Sequence, residues 1–194
     1  MSDGYRTAAS RCELCDTEVE NTGLKDLAGL RSCARCHGGD LELALRHWGL
    51  ELDMKHTPRS YRTPERFSIE VKRPTFVEAF ARLDRDSGNR GWFGRLFRQR
   101  DPEVGDRAFD DQVLIAPDAG HEEGTLALLA RPGLRQAVLA LVQLGCEIHL
   151  TGQSVWVFDR DGGAIDRISS LAQARPLAVV LAVHVERYAR EDAR

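Results

Sequence analysis

CELC at residues 12–15 and CARC at residues 33–36 are two Cys-x2-Cys pairs separated by 17 residues. That spacing falls within the window of a four-thiolate zinc site. Each pair makes a turn that aims two sulfurs at one ion, and two such turns complete a tetrahedron with Zn–S bonds of about 2.3 Å. With Cys12, Cys15, Cys33 and Cys36 as ligands, no position is left for water, so the expected cofactor is a structural Zn2+. Metal also answers a problem of size, since a module of about 40 residues buries too little apolar surface to fold unaided.

Two other chemistries are open to these cysteines. They can pair as disulfides, but Met1–Arg11 lacks the basic start and apolar run of a secretory signal. A cytoplasmic location follows as the expectation, and there paired thiols more often bind metal. Cys33-Ala34-Arg35-Cys36-His37 also has the form of a haem-attachment signature. That reading normally goes with export and leaves Cys12 and Cys15 without a role.

The segment CELC…SCARCHGGDLELAL resembles the transcription-factor-type zinc ribbons of many small bacterial proteins, in which the second knuckle runs into a short acidic helix. The resemblance covers residues 12–45 and departs at Asp16, where those ribbons carry glycine. It implies a fold element and not an activity, because such ribbons bind nucleic acid in some proteins and other proteins elsewhere.

Outward from the cysteines, Asp40 is placed to cap a helix on which Leu41, Leu45, Trp48 and Leu52 share one face. Residues 11–54 thus read as a zinc-ribbon module with its following helix. Residues 55–64, with Pro58 and Pro64 and few apolar anchors, read as a linker. From residue 65 the pattern changes. Phe67, Ile69 and Val71 alternate with polar residues as in a half-buried strand, Phe76–Leu83 suits a strand or a short helix with strand favoured, and Phe109–Ala116 reads as a further strand. Helices are predicted over Glu122–Ala130 and Pro132–Leu144, the second with proline at its first position and Gly145 as its stop. Glu147–Leu150 and Ser154–Phe158 form a hairpin around Thr151-Gly152-Gln153, and a final apolar helix runs over Leu177–Arg190. The expected fold class is α+β: a small N-terminal zinc ribbon joined to an antiparallel-sheet domain with packed helices over residues 65–190.

The pattern Gly105-Asp106, Phe109-Asp110, Val113–Ala116, Leu128-Leu129 and Ile148–Phe158 resembles an uncharacterised group of bacterial domains. Many of those carry membrane-spanning helices, whereas no apolar run here approaches the ~20 residues that a span needs. The likeness implies a fold.

Composition, at 42% hydrophobic and 29% charged residues, excludes a disordered chain. The net charge of −3 conceals an uneven distribution. Residues 1–54 carry 6 basic and 10 acidic residues, residues 55–100 carry 12 and 5, and residues 101–194 carry 9 and 15. The middle zone is therefore a belt of net +7 between acidic flanks. Within it, Trp92, Phe93, Leu96 and Phe97 are interleaved with Arg90, Arg95, Arg98 and Arg100. Such a stretch is either a loop tucking its aromatics under the core or a contact surface. As a contact it suits a protein partner or an anionic membrane surface, or single-stranded nucleic acid stacked on its aromatics. Trp92, Phe93, Arg95, Phe97, Arg98 and Arg100 are the candidate partner contacts. The acidic flanks weigh against phosphate, which puts a protein partner first and nucleic acid second.

The remaining signals read as structural. Asp159–Gly163 lacks the ligands of a calcium loop. Cys146 is a small buried hydrophobe, and His121-Glu122-Glu123 precedes a helix whose dipole favours acids. His149 and His184 lie in apolar settings as core histidines. No Ser-His-Asp order, phosphate loop or HExxH motif is present, so a binding or adaptor module is expected and not an enzyme.

Overall fold

The computed structural model of the chain describes residues 9–20, 23–57, 66–85, 102–159 and 167–193. Its first part is built from very short strands. β1 (Ala9–Arg11) pairs with β2 (Glu18–Glu20), and β3 (Lys25–Leu27) pairs with β4 (Leu30–Ser32), both antiparallel. The β3–β4 turn is the two-residue Ala28-Gly29, with φ of 48° and 86°. Positive φ at both centres matches the twist of a tight hairpin. One helical turn, α1 (Ala34–His37), follows, and then α2 (Glu42–Trp48).

The helix after the cysteines is shorter than its pattern predicts. Leu41 and not Asp40 stands at its N-cap, while Asp40 is engaged by the Arg35 guanidinium. Gly49, at φ 68°, ends α2 with the left-handed residue that helix C-termini favour, and Leu50 then donates back to the Leu45 carbonyl. The chain leaves as strand β5 (Glu51–Thr57). Leu52 therefore belongs to a strand, and that strand extends through Thr57 into the stretch read as a linker.

β5 is the edge of a six-stranded antiparallel sheet formed with β6 (Arg66–Lys72), β7 (Ala81–Arg85), β8 (Val113–Pro117), β9 (Cys146–Leu150) and β10 (Ser154–Asp159). The order is β5-β6-β10-β9-β7-β8. β9 and β10 make the predicted hairpin, with Leu150 opposite Val155. Two predicted strands are corrected. Residues 76–80 form no strand, because Arg73 and Val77 bond to the 151–153 turn rather than to a ladder. Phe109 lies in a single helical turn, α3 (Arg107–Asp110), which Asp106 caps by accepting from the Phe109 amide. Phe109 is fully buried from that turn, so its apolar character belongs to the core and not to a strand.

Helices α4 (Glu122–Leu129), α5 (Pro132–Gln143) and α6 (Arg167–Asp192) complete the fold. α5 packs on β9 and β7, and α6 packs on β10 and β6, so both lie on one face of the sheet. Ile69, Val71, Val155, Val157, Ile148 and Leu83 face them, with Leu134, Val138, Leu141, Val179, Leu181 and Val183 opposite. α6 begins at Arg167, well before the expected Leu177, and runs through Pro176. Proline removes one backbone hydrogen bond there, and buried Ala174 and Ala178 keep the two sides of it in the same layer. Residues 178–183 are buried all round, as in a helix packed on several sides. Arg73 and Glu186 form a fully buried pair. Arg73 donates to the carbonyls of Thr75 and Gly152, and Glu186 accepts from Thr75 and Arg190. Among the described residues, no single helix is long and apolar enough to cross a membrane.

Candidate metal centre

The four cysteines converge. Their sulfurs all lie within 4.8 Å of one another, and Cys15 Sγ and Cys33 Sγ are 3.8 Å apart. A tetrahedron with metal–sulfur bonds of about 2.3 Å has sulfur–sulfur edges of about 3.8 Å. All four residues are buried free thiols, packed against fully buried Leu14 and Leu30. The donor set and spacing fit a single metal ion, and Cys12, Cys15, Cys33 and Cys36 could hold it.

Local backbone explains the convergence. The first knuckle closes by bonds from Cys12 N to Thr17 O and from Asp16 N to Cys12 O. Asp16 has φ 57°, the left-handed conformation that glycine adopts readily. Aspartate tolerates that conformation, and its carboxylate meets Arg11 at 2.7 Å. The second knuckle begins at Cys33, whose amide donates to Cys12 Sγ at 3.3 Å. Glu13 ties the knuckles together, its amide donating to Arg31 O and its carboxylate accepting from Arg31 N.

Burial is the largest single influence on the ionisation of Cys12, Cys15 and Cys36. It raises the pKa of Cys12 and of Cys36, and the neighbouring sulfurs push Cys36 further up. Burial opposes ionisation of Cys15 as well, yet hydrogen bonds from the Thr17 hydroxyl and amide bring it below the usual thiol value. The Thr17 hydroxyl is 3.1 Å from that sulfur. A bound cation would favour the thiolate form of its ligands.

The cysteine module is seated on the rest of the protein. The Glu13 carboxylate accepts from Arg187 at 3.0 Å, and the Ala28 carbonyl accepts from His184 Nε2 at 3.1 Å. Gly29 lies against the backbone of Gly133, where a Cβ would come within 2.8 Å of the Gly133 Cα. A small cleft of about 250 Å³ remains beside this contact, between Glu13, Arg131, His184 and Tyr188. Cysteine spacing reveals the ligands, but Thr17, Glu13, His184 and Arg187 have no spacing signal that links them to the site.

The other candidates fall elsewhere. His37 is exposed and outside the sulfur cluster, which the haem reading does not accommodate. Cys146 is buried in β9, where burial pushes its thiol up to about 11. His121 packs on Phe80, and Glu122 accepts from the Gly120 amide. His149 is not a core residue; it sits partly exposed on the sheet face away from α5 and α6, bonded to Glu147. Trp92, Phe93, Arg95, Phe97, Arg98 and Arg100 lie outside the described residues, as do residues 160–163. No protein-family model, curated protein or solved structure matches the chain, so the likeness of residues 65–190 to the uncharacterised bacterial domains gains no support.

Proposed function

We propose that the four thiolates hold one structural Zn2+ and that the protein is a zinc-stabilised binding or adaptor module whose partner is another protein. The observation that supports this reading is the buried four-sulfur cluster, whose sulfurs lie within 4.8 Å of one another. An ion so enclosed has no open position for water or substrate and acts by fixing the fold. The seat on α5 and α6 extends that effect beyond the ribbon, because Glu13, Ala28 and Gly29 carry the order of the knuckles onto the larger body.

The partner contact is assigned to the basic belt, with Trp92, Phe93 and Phe97 as apolar anchors and Arg95, Arg98 and Arg100 as charges. A protein partner with an acidic, apolar-centred surface suits that composition. The test joins two measurements. A native mass spectrum of protein purified without added metal should show an excess of one zinc per chain. Reversal of Arg95, Arg98 and Arg100 to glutamate should weaken capture of the co-purifying protein; unchanged capture refutes the assignment. Binding of short DNA or RNA through the same arginines, falling steeply with salt, replaces protein with nucleic acid as the partner.

A further inference from the structure

A cleft larger than the one beside the cysteine module lies at the C-terminal end of α6. Its volume is about 360 Å³, within the range of small-molecule sites. The chain after β6, at residues 75–78, forms one side of it, and the last turn of α6 forms another. Two glycines fix the first side. The Phe76 ring rests on Gly152, where a Cβ would come within 2.2 Å of the ring. Gly124 of α4 lies so close that a Cβ there would stand 2.1 Å from the Glu78 carbonyl oxygen. Between them the Val77 amide donates to the Gly152 carbonyl. Val77 is thus buried while Phe76, at 56% exposure, and Glu78 are held out at the cleft.

The charge of this cleft is unbalanced. Glu78 and Asp192 both line it, and no lysine, arginine or histidine does. Among the described residues, neither carboxylate has an ion pair or a hydrogen bond. The cations of the neighbouring elements are engaged elsewhere. Arg73 and Arg190 meet Glu186, to which Thr75 also donates, and Arg131 meets Glu191. Asp192 also stands in the last turn of α6, where a helix favours positive charge.

The rest of the lining is aromatic and apolar, with Phe76, Tyr188, Val77 and Ala189. Ring faces attract cations, and the Arg131 guanidinium already lies 5.5 Å from the Tyr188 ring centroid. A bare metal ion would leave these surfaces without a role, and among the described residues Glu78 and Asp192 belong to no group of three metal ligands. An alkylammonium uses all of them. We propose that the cleft binds an aliphatic di- or triamine, with Glu78 and Asp192 each taking an ammonium group and Phe76 covering the methylenes. The proposal is independent of the metal and of the partner of the basic belt.

Calorimetric titration of the full-length, metal-loaded protein with 1,4-diaminobutane and with spermidine, at physiological ionic strength, should show saturable binding of one amine per chain. Butane-1,4-diol, with the same carbon chain and no charge, should not bind. Glu78→Gln and Asp192→Asn should each weaken amine binding about tenfold. Neither side chain has a partner to lose, so both variants should unfold at the wild-type temperature. Glu103→Gln, which removes an exposed acid outside the cleft, should bind as wild type does. The absence of saturable binding by either amine overturns the proposal. So does equal affinity in the Glu78 and Asp192 variants, or equal displacement of the amine by the same concentration of magnesium. A lysine-bearing peptide that binds more tightly than either free amine overturns it too, and makes the cleft a docking groove for a basic protein segment.

Discussion

The Nε2–H of His184 donates to the carbonyl of Ala28, so the tip of the cysteine-bearing hairpin hangs from the long C-terminal helix. Burial holds this imidazole below the usual histidine range, with the Ala28 bond and the carboxylates of Glu13 and Asp26 opposing and Arg187 reinforcing. The unfolded chain therefore takes up a proton that the folded chain resists. Stability is full above the unfolded value of about 6.5 and is lost as pH falls from there through the lower folded value. His184→Gln keeps an amide donor but does not titrate. Urea midpoints at pH 7.5 and 5.5, at equal metal loading, should fall further for wild type than for the variant; an equal fall excludes His184 as the source.

Gly29 and Gly39 both have positive φ, but only Gly29 is crowded. A Cβ at Gly29 would approach Gln136 Oε1 and Gly133 Cα to 2.7 and 2.8 Å, while one at Gly39 meets nothing within 4 Å. Gly39→Ala should cost about 1 kcal/mol for the backbone alone. Gly29→Ala should cost roughly 1–3 kcal/mol more, through overpacking of the seat. Chemical denaturation of the two variants separates the terms, and equal losses would mean that the hairpin does not bear on α5.

Glu186 and Arg73 are both buried and share the partner Thr75. Glu186→Ala leaves an arginine without its counter-charge in the core, a change that typically costs about 3–5 kcal/mol. Glu186→Gln keeps an acceptor for Thr75 and should cost less. Thermal unfolding should rank wild type, Gln and Ala in that order, and an alanine variant as stable as wild type would show that the pair does not stabilise the core.

Metal removal should be felt beyond the cysteine module. Because Glu13, Ala28 and Gly29 rest on α5 and α6, a chelator should lower the unfolding temperature of the whole chain. Serine at Cys12, Cys15, Cys33 or Cys36 should abolish tight retention of one ion per chain, measured by transfer to a coloured chelator. Cys146→Ser should retain it. An unfolding transition indifferent to chelation would refute the coupling.

Where a local rule operates, the sequence reads well. Cys-x2-Cys spacing is local chemistry, and the turn at residues 151–153 and Pro132 are local backbone signals. The errors arise where two patterns overlap. Leu52 continues the helical spacing of Leu41, Leu45 and Trp48, yet Gly49 between them breaks the helix, a stop signal that the sequence itself contains. Phe109 stands three residues after Asp106, a capping pair hidden by the apolar run that follows. The seat of the cysteine module is illegible for another reason. Glu13–Arg187 and Ala28–His184 join residues across most of the chain, and no periodicity encodes a contact of that kind.

Glu13 meets Arg187 across 174 positions, and contacts of such separation form only after a long loop has closed, which slows folding. During synthesis the metal-binding turns emerge well before the helix that seats them. Roughly 150 residues must follow, on the order of 8–30 s at about 5–20 residues per second. Over that interval the knuckles lack their contacts to α6, so an ion held by the four cysteines would be captured by the nascent chain before the docking onto that helix.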